Sequence, residues 1–179
     1  MEQNVEGVGE FKNQPAYDKN GKFIGWISRA IACLNMVFGY DDNMGLYVLA
    51  SQRGKGTPDP ELVGSWNCVT GYLDYGETTA QAAIRETREE TGIEINENDI
   101  YRIGINDDPN SDKRQNIGFR FVSILPNNID TYTFNKNGNE KDEVDDIKFI
   151  NINDIDNYKW AFNHNEIIKE TLSTVFETV

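Results

Sequence analysis

Apolar residues fall in short, strand-length runs up to about residue 72, switch to helical spacing between 78 and 92, and return to strand-length runs afterwards. Such a change of period separates strands from helices. Residues 1–13 read as a loose leader, and residues 16–26 as a short β-hairpin turning at Asn20-Gly21, where both positions tolerate positive φ. Residues 27–38 form one long, nearly continuous apolar run, the mark of a strand buried on both faces. A turn follows over 39–45, and 46–52 reads as the returning strand. The stretch 53–65 is punctuated by Gly and Pro and reads as a loop, and 66–69 as a short strand. A helix is expected from about Thr78, opened by a Thr78–Gln81 capping box and closed by Gly92. Strands are expected over 100–106, 117–125 and 144–152, with a polar loop at 107–116 and an Asn-rich, mobile loop at 126–142. Residues 160–178 read as a C-terminal helix. Strands, a helix, further strands and a second helix predict an α+β fold.

The helix between 78 and 92 has an apolar stripe of Ala80, Ala83, Ile84, Thr87 and Thr91. Its three glutamates, Glu86, Glu89 and Glu90, lie roughly 130° round from that stripe at 3.6 residues per turn. They stand at i, i+3 and i+4, so they share a face. Carboxylates so close repel each other, and a polyvalent cation is the usual reason to gather them.

Composition narrows the partners. A chain of 179 residues is long enough for one well-filled domain. A net charge of −13 opposes binding to a nucleic-acid polymer, although a small phosphorylated molecule could still bind beside a divalent ion. Cys33 and Cys68 lie in apolar stretches and read as reduced core thiols, and two Cys with the single His164 cannot make a structural zinc site. No apolar run approaches a membrane span, and the polar, acidic start does not resemble a signal peptide, so a cytoplasmic location is expected.

Residues 71–93 contain Gly71, Glu77, Arg85, Glu86, Glu89, Glu90 and Gly92 at fixed spacing. This segment resembles the Nudix box, with Thr87 as its loosest position, where the family usually has an aliphatic residue. The resemblance implies an α/β/α sandwich around a mixed β-sheet with the box as loop–helix–loop. On that basis residues 1–25 are a leader and hairpin, and 26–179 the Nudix domain. It implies hydrolysis of a diphosphate linkage, nucleoside diphosphate–X giving a nucleotide and X-phosphate, with Mg²⁺ or Mn²⁺. Glu86, Glu89 and Glu90 are then the metal ligands, joined by the Gly71 carbonyl. Arg85 would hold the carboxylates in place and Glu77 would pin the preceding loop.

The general base is expected at Glu143, with Glu140 or a box glutamate as alternatives. Arg53, Arg114 and Arg120 are candidates to bind substrate, as is Lys113. The run Arg53-Gly-Lys-Gly-Thr is not a P-loop, since Leu49 stands where the first Gly of that motif belongs. Trp66, Tyr72 and Trp160 could stack on a base, although a core position is the commoner use of such residues. His164 reads as a cap or core residue.

Pro109 and the segment 160–164 resemble the ADP-ribose pyrophosphatase subgroup, whose members are often dimers, so a homodimer is carried as an expectation. Two alternatives accompany ADP-ribose or a nucleotide sugar as substrate. One is a nucleoside triphosphate pyrophosphohydrolase similar to MutT, acting on an oxidised or surplus dNTP. The other is a non-catalytic Nudix ligand sensor.

Overall fold

The computed structural model describes residues 13–111, 113–135 and 142–175. Strands β1 (Gln14–Tyr17) and β2 (Phe23–Ile27) form the expected hairpin as a two-stranded antiparallel sheet of its own. The hairpin, expected over residues 16–26, spans Gln14 to Ile27. Tyr17, Phe23, Ile24, Trp26 and Ile27 are all exposed on it.

The main sheet has seven strands: β3 (Ile31–Tyr40), β4 (Leu46–Arg53), β5 (Trp66–Asn67), β6 (Val69–Tyr72), β7 (Ile100–Asn106), β8 (Ile117–Ile124) and β9 (Val144–Asn151). It is mixed, since β3 pairs with β8 in parallel and the other ladders are antiparallel. Next to their turn, Phe38–Tyr40 of β3 pair with Leu46–Val48 of β4. Farther along, β3 pairs with β6 and β4 with β5, so the chain leading to the box lies between the two long strands.

β3 is buried on both sides, as its apolar run requires. Leu34, Met36 and Phe38 face a core with Ile168 of helix α2 (His164–Val175). Cys33 packs with Ala82 and Ala83 of helix α1 (Thr79–Thr91), and Val37 joins Leu49, Val69 and Ile93 on the same side. The two helices therefore cover opposite faces, giving the α+β sandwich expected. Cys33 and Cys68 are buried free thiols, and burial pushes Cys33 up to about 11.

Three expectations are corrected. The strand read over 27–38 is two elements, with a break at 28–30 hidden in apolar sequence. There the Arg29 guanidinium binds the backbone carbonyls of Gln115 and Asn116, turning the chain into the sheet. The final helix begins at His164, not at residue 160. Residues before it are held against β5: Trp66 N–H donates to the Lys159 carbonyl and Ala161 N–H to the Trp66 carbonyl, each at 2.8 Å. Phe162 and Asn163 then take left-handed φ of 56° and 55°, which no helix admits. Finally, part of the loop expected to be mobile is packed: a 3₁₀ turn over Ile129–Thr131 buries Ile129. Residues 136–141, with Glu140, lie outside the described residues.

Candidate active site

Helix α1 is built as its ends predict. Thr78 Oγ1 accepts from Gln81 N–H at 3.2 Å, Gln81 Oε1 accepts from Thr78 N–H at 2.9 Å, and Gly92 closes the helix at φ 78°. The buried stripe differs from the expected one. Ala82, Ala83, Thr87 and Thr91 line it, and so do Glu86 and Glu90, only 6% and 8% exposed.

Both buried glutamates reach β-strand partners. Ser51 Oγ of β4 donates to Glu90 Oε2 at 2.8 Å, and Thr70 N–H of β6 lies 3.4 Å from Glu90 Oε1. Glu86 lies against the backbone of Gly71, where a Cβ would fall inside its carboxylate. Gly71 thus leaves room for the Glu86 carboxylate. Gly71→Ala is expected to cost about 1–3 kcal/mol in urea unfolding, as for other overpacked sites, and to turn Glu86 away from β6. Unchanged stability would show that Glu86 swings aside freely.

Arg85 ties the cluster together. Its Nε and Nη2 form a fork on Glu77 at 3.1 and 2.9 Å, and Nη2 also donates to the Tyr72 carbonyl at 2.9 Å. Nη1 bridges Glu86 at 2.7 Å and Glu89 at 3.1 Å. The fork is the strong geometry for a guanidinium on a carboxylate. It raises Arg85 above the ordinary arginine value, and it holds the Glu77 carboxyl below the usual range. Glu77 Oε1 also accepts from Asp74 N–H at 2.8 Å, which fastens the loop before the helix.

A depressed carboxyl contributes stability above its unfolded pKa, about 4.3 for Glu, and loses it as pH falls through the lower folded value. Arg85→Gln should therefore flatten the loss of stability between about pH 5 and 3, measured as the urea midpoint, because Glu77 loses the larger cause of its lowered value and keeps only the Asp74 N–H bond. A variant as acid-sensitive as the parent would contradict this.

Among the described residues, no three His, Cys, Asp or Glu side chains converge as a ready-made metal cage. The reason is local: Arg85 Nη1 stands between Glu86 and Glu89, and Glu90 is drawn to Ser51. The donor set nevertheless suits a hard cation. It is all oxygen, and two carboxylates already converge on one positive centre.

The other candidates scatter. Glu143 is half-buried just before β9, and its carbonyl accepts from Gly54 N–H at 2.6 Å. Gly56 N–H donates to the Asp142 carbonyl at 2.7 Å, so the Gly-rich loop after β4 holds this segment. Arg53 is 9% exposed, pairs with Asp59 at 3.1 Å and lies 4.9 Å from the Phe162 ring centroid. Arg114 pairs with the same Asp59 and sits 3.5 Å from the Tyr72 hydroxyl. Arg120 is not brought to the carboxylates: it pairs with Glu170 of α2 at 3.0 Å, across the sheet. Lys113 is exposed on the β7–β8 loop.

Trp66 is core, packed edge-on to Tyr158, while Trp160 is half-buried and donates through its indole to the Ile155 carbonyl at 2.7 Å. Tyr72 stays 44% exposed beside Gly71. His164 is a buried core residue whose Nδ1 accepts from Cys68 N–H at 3.1 Å. Burial, then the Arg53 and Arg120 charges, push it down to about 3. Sequence reasoning missed Ser51 and Asp59. Ser51 was legible as a polar residue on a buried strand, at the same alternation as Arg53; Asp59 had only its place between Pro58 and Pro60.

Comparison with known proteins agrees with this geometry. An ADP-ribose pyrophosphatase of Methanocaldococcus jannaschii is 31% identical over 101 residues, which is 56% of this chain and 53% of that protein. An octanoyltransferase of Myxococcus xanthus is 53% identical over 36 residues, 20% of this chain and 10% of that protein. The chain thus spans about half the length of one curated relative and a tenth of the other. The NUDIX domain of Shewanella oneidensis NrtR, solved with ADP ribose, superposes with a TM-score of 0.69 at 19% identity, covering 89% of this chain and 94% of that one. The NUDIX domain family itself matches residues 30–171, which take in helix α1, most of α2, every strand of the main sheet and the whole carboxylate cluster, and the chain belongs to that family.

Proposed function

We propose that the chain hydrolyses the diphosphate linkage of a nucleoside diphosphate joined to a second moiety, with ADP-ribose or a nucleotide sugar as the leading substrate class. One observation carries this reading: Glu86 and Glu89 converge on a single cationic nitrogen beside the backbone of Gly71, with Glu90 anchored one turn on. Carboxylates so close repel unless cations lie among them, a role that Arg85 fills in part and that a divalent ion would complete.

Glu86, Glu89 and Glu90, with the Gly71 carbonyl, would hold Mg²⁺ or Mn²⁺. When bound, the ion neutralises phosphate charge and lowers the pKa of a coordinated water. The remaining steps belong to the chain. Arg85 keeps the carboxylates oriented by spanning Glu77, Glu86 and Glu89. Glu143 takes the proton as a water oxygen attacks phosphorus and the bridging P–O bond breaks, leaving a nucleotide and a phosphorylated second product. Arg53 and Arg114 provide positive charge for the phosphates, and Tyr72 an exposed ring beside them. Arg120, paired across the sheet, is left out.

The ADP-ribose preference is supported by the name of the M. jannaschii relative and by the ligand of the NrtR domain. That domain also favours the second reading, a Nudix domain that binds ADP-ribose without turning it over, since its fold is shared and its ligand is the intact molecule. The reading similar to MutT keeps the same carboxylates with a dNTP in the pocket. Among the described residues no helix is long and apolar enough to cross a membrane, and a small soluble nucleotide is the proposed partner. A homodimer is proposed alongside, on the five exposed apolar side chains of the β1–β2 hairpin.

The deciding experiment is phosphate release, coupled to a phosphatase, over ADP-ribose, nucleotide sugars, dinucleotides and dNTPs with Mg²⁺ and with Mn²⁺. Turnover of ADP-ribose or a nucleotide sugar is expected. Turnover confined to a dNTP would move the chain to the triphosphate class. Tight ADP-ribose binding without turnover would favour the sensor.

A further inference from the structure

Asp59 is the meeting point of two cations from distant parts of the chain. Arg53, at the end of β4, pairs with its Oδ2 at 3.1 Å, and Arg114, from the β7–β8 loop, pairs with its Oδ1. Two guanidiniums thus share one carboxylate. Each carboxylate oxygen is taken by a different arginine, an arrangement that the non-bridging oxygens of a diphosphate would match.

The cluster is built into the fold. The Arg53 side chain is only 10% exposed and Asp59 15%, and Arg53 Nε is buried with no hydrogen-bond partner among the described residues. A buried N–H of a charged group without an acceptor is uncommon and costly. Asp59 is also the N-cap residue of the 3₁₀ turn Pro60–Leu62, yet its side chain makes no capping bond. Asp is among the preferred capping residues, and here the carboxylate turns to the two arginines instead. Releasing it from them would break no cap.

The cluster borders the proposed active site. Arg114 lies 3.5 Å from the Tyr72 hydroxyl, and the Tyr72 carbonyl is held by Arg85. Arg53 follows Ser51, the partner of Glu90, by two residues on the same strand. It feels the charge of both Glu90 and Glu143.

We propose that Asp59 is an internal stand-in for a substrate phosphoryl group, holding Arg53 and Arg114 together until a phosphoryl oxygen displaces it. The proposal rests on the reading of the neighbouring carboxylates as a diphosphate-hydrolysing site. It adds a specificity element: a ligand must carry a phosphoryl group anionic enough to outcompete an aspartate already in place. The loop 54–63 is then fastened to the β7–β8 loop only while that group is absent.

The test uses imidodiphosphate, a diphosphate that resists hydrolysis, titrated calorimetrically into the full chain with Mg²⁺. Asp59→Asn keeps the shape and removes the competing charge. It should bind imidodiphosphate about 3–10-fold more tightly, the gain expected when a partly exposed ion pair no longer holds back the binding-competent state. Arg114→Met should bind more weakly than the parent. Thermal melting identifies an Asp59→Asn chain that has lost its fold, and Asp59→Ser then serves in its place with the same expectation.

Equal or weaker binding by a folded Asp59 variant would overturn the proposal and make Asp59 a structural clasp. Absence of binding to parent and variant alike would overturn it too. Hydrolysis is judged separately on the substrate panel. Tightening by Asp59→Asn without turnover leaves the stand-in and removes the hydrolase. Turnover without tightening does the reverse.

Discussion

Glu89→Gln is expected to lower metal-dependent kcat/KM by about 10³-fold or more if Glu89 helps hold the proposed ion, because that ion would supply several kcal/mol of charge stabilisation in the transition state. Glu89 is the clearest probe of the three, since its side chain is 30% exposed and belongs to no core cluster. It pairs with Arg85 at 3.1 Å and Arg88 at 3.7 Å, and Gln keeps the shape while losing the charge. The melting temperature should therefore hold while turnover disappears. Glu90→Gln should act alike, because the amide oxygen can still accept from Ser51 Oγ. Near-parental rates in both variants, with the fold intact, would remove the metal assignment.

The second large effect is at Glu143. Glu143→Gln should cut kcat by about 10²–10⁴-fold if this carboxylate takes the proton from the attacking water. The segment is anchored through its backbone, by Gly54 N–H to the Glu143 carbonyl and Gly56 N–H to the Asp142 carbonyl, so the exchange leaves those anchors in place. Gly54 is close-packed there, as an added Cβ would meet the Asp142 carbonyl oxygen. A negligible effect at Glu143, with Glu140→Gln or Glu86→Gln inactive, would move the role to one of those residues.

The carboxylate helix was legible because its signals are local. A capping box, a C-terminal glycine and an i, i+3, i+4 set of glutamates are properties of one turn or two, and each is where the spacing put it. The hairpin at Asn20-Gly21 was legible for the same reason. What escaped depends on long-range contacts. Nothing local marks residues 160–163 as non-helical; the chain at Lys159 and Ala161 is held along β5 by hydrogen bonds to Trp66, and Phe162 and Asn163 then turn with left-handed φ. The break at 28–30 depends on carbonyls 86 and 87 residues away. Glu86 and Glu90 were expected to face away from the packed stripe, yet the pairing of β6 with β3 and of β5 with β4 brings strand backbone beneath the helix. Asp59 escaped for that reason also, as its second arginine lies 55 residues on.

Thr87, the position where the box departs from the usual aliphatic residue, is fully buried. Its hydroxyl donates to the Ala83 carbonyl at 2.7 Å and accepts from Asn35 Nδ2 at 3.1 Å, and Asn35 Oδ1 in turn accepts from Ser123 Oγ at 3.1 Å. One helix and two neighbouring strands thus share a chain of polar groups with no access to water. Restoring an aliphatic residue at 87 alone would strand the Asn35 amide, at a cost of about 1–3 kcal/mol, whereas making all three positions apolar together could be nearly neutral. The trio is a lock that single substitutions cannot leave downhill. An evolving or engineered lineage must cross a destabilised intermediate or change the three as a set, and a triple-mutant cycle would read the height of that barrier as non-additivity.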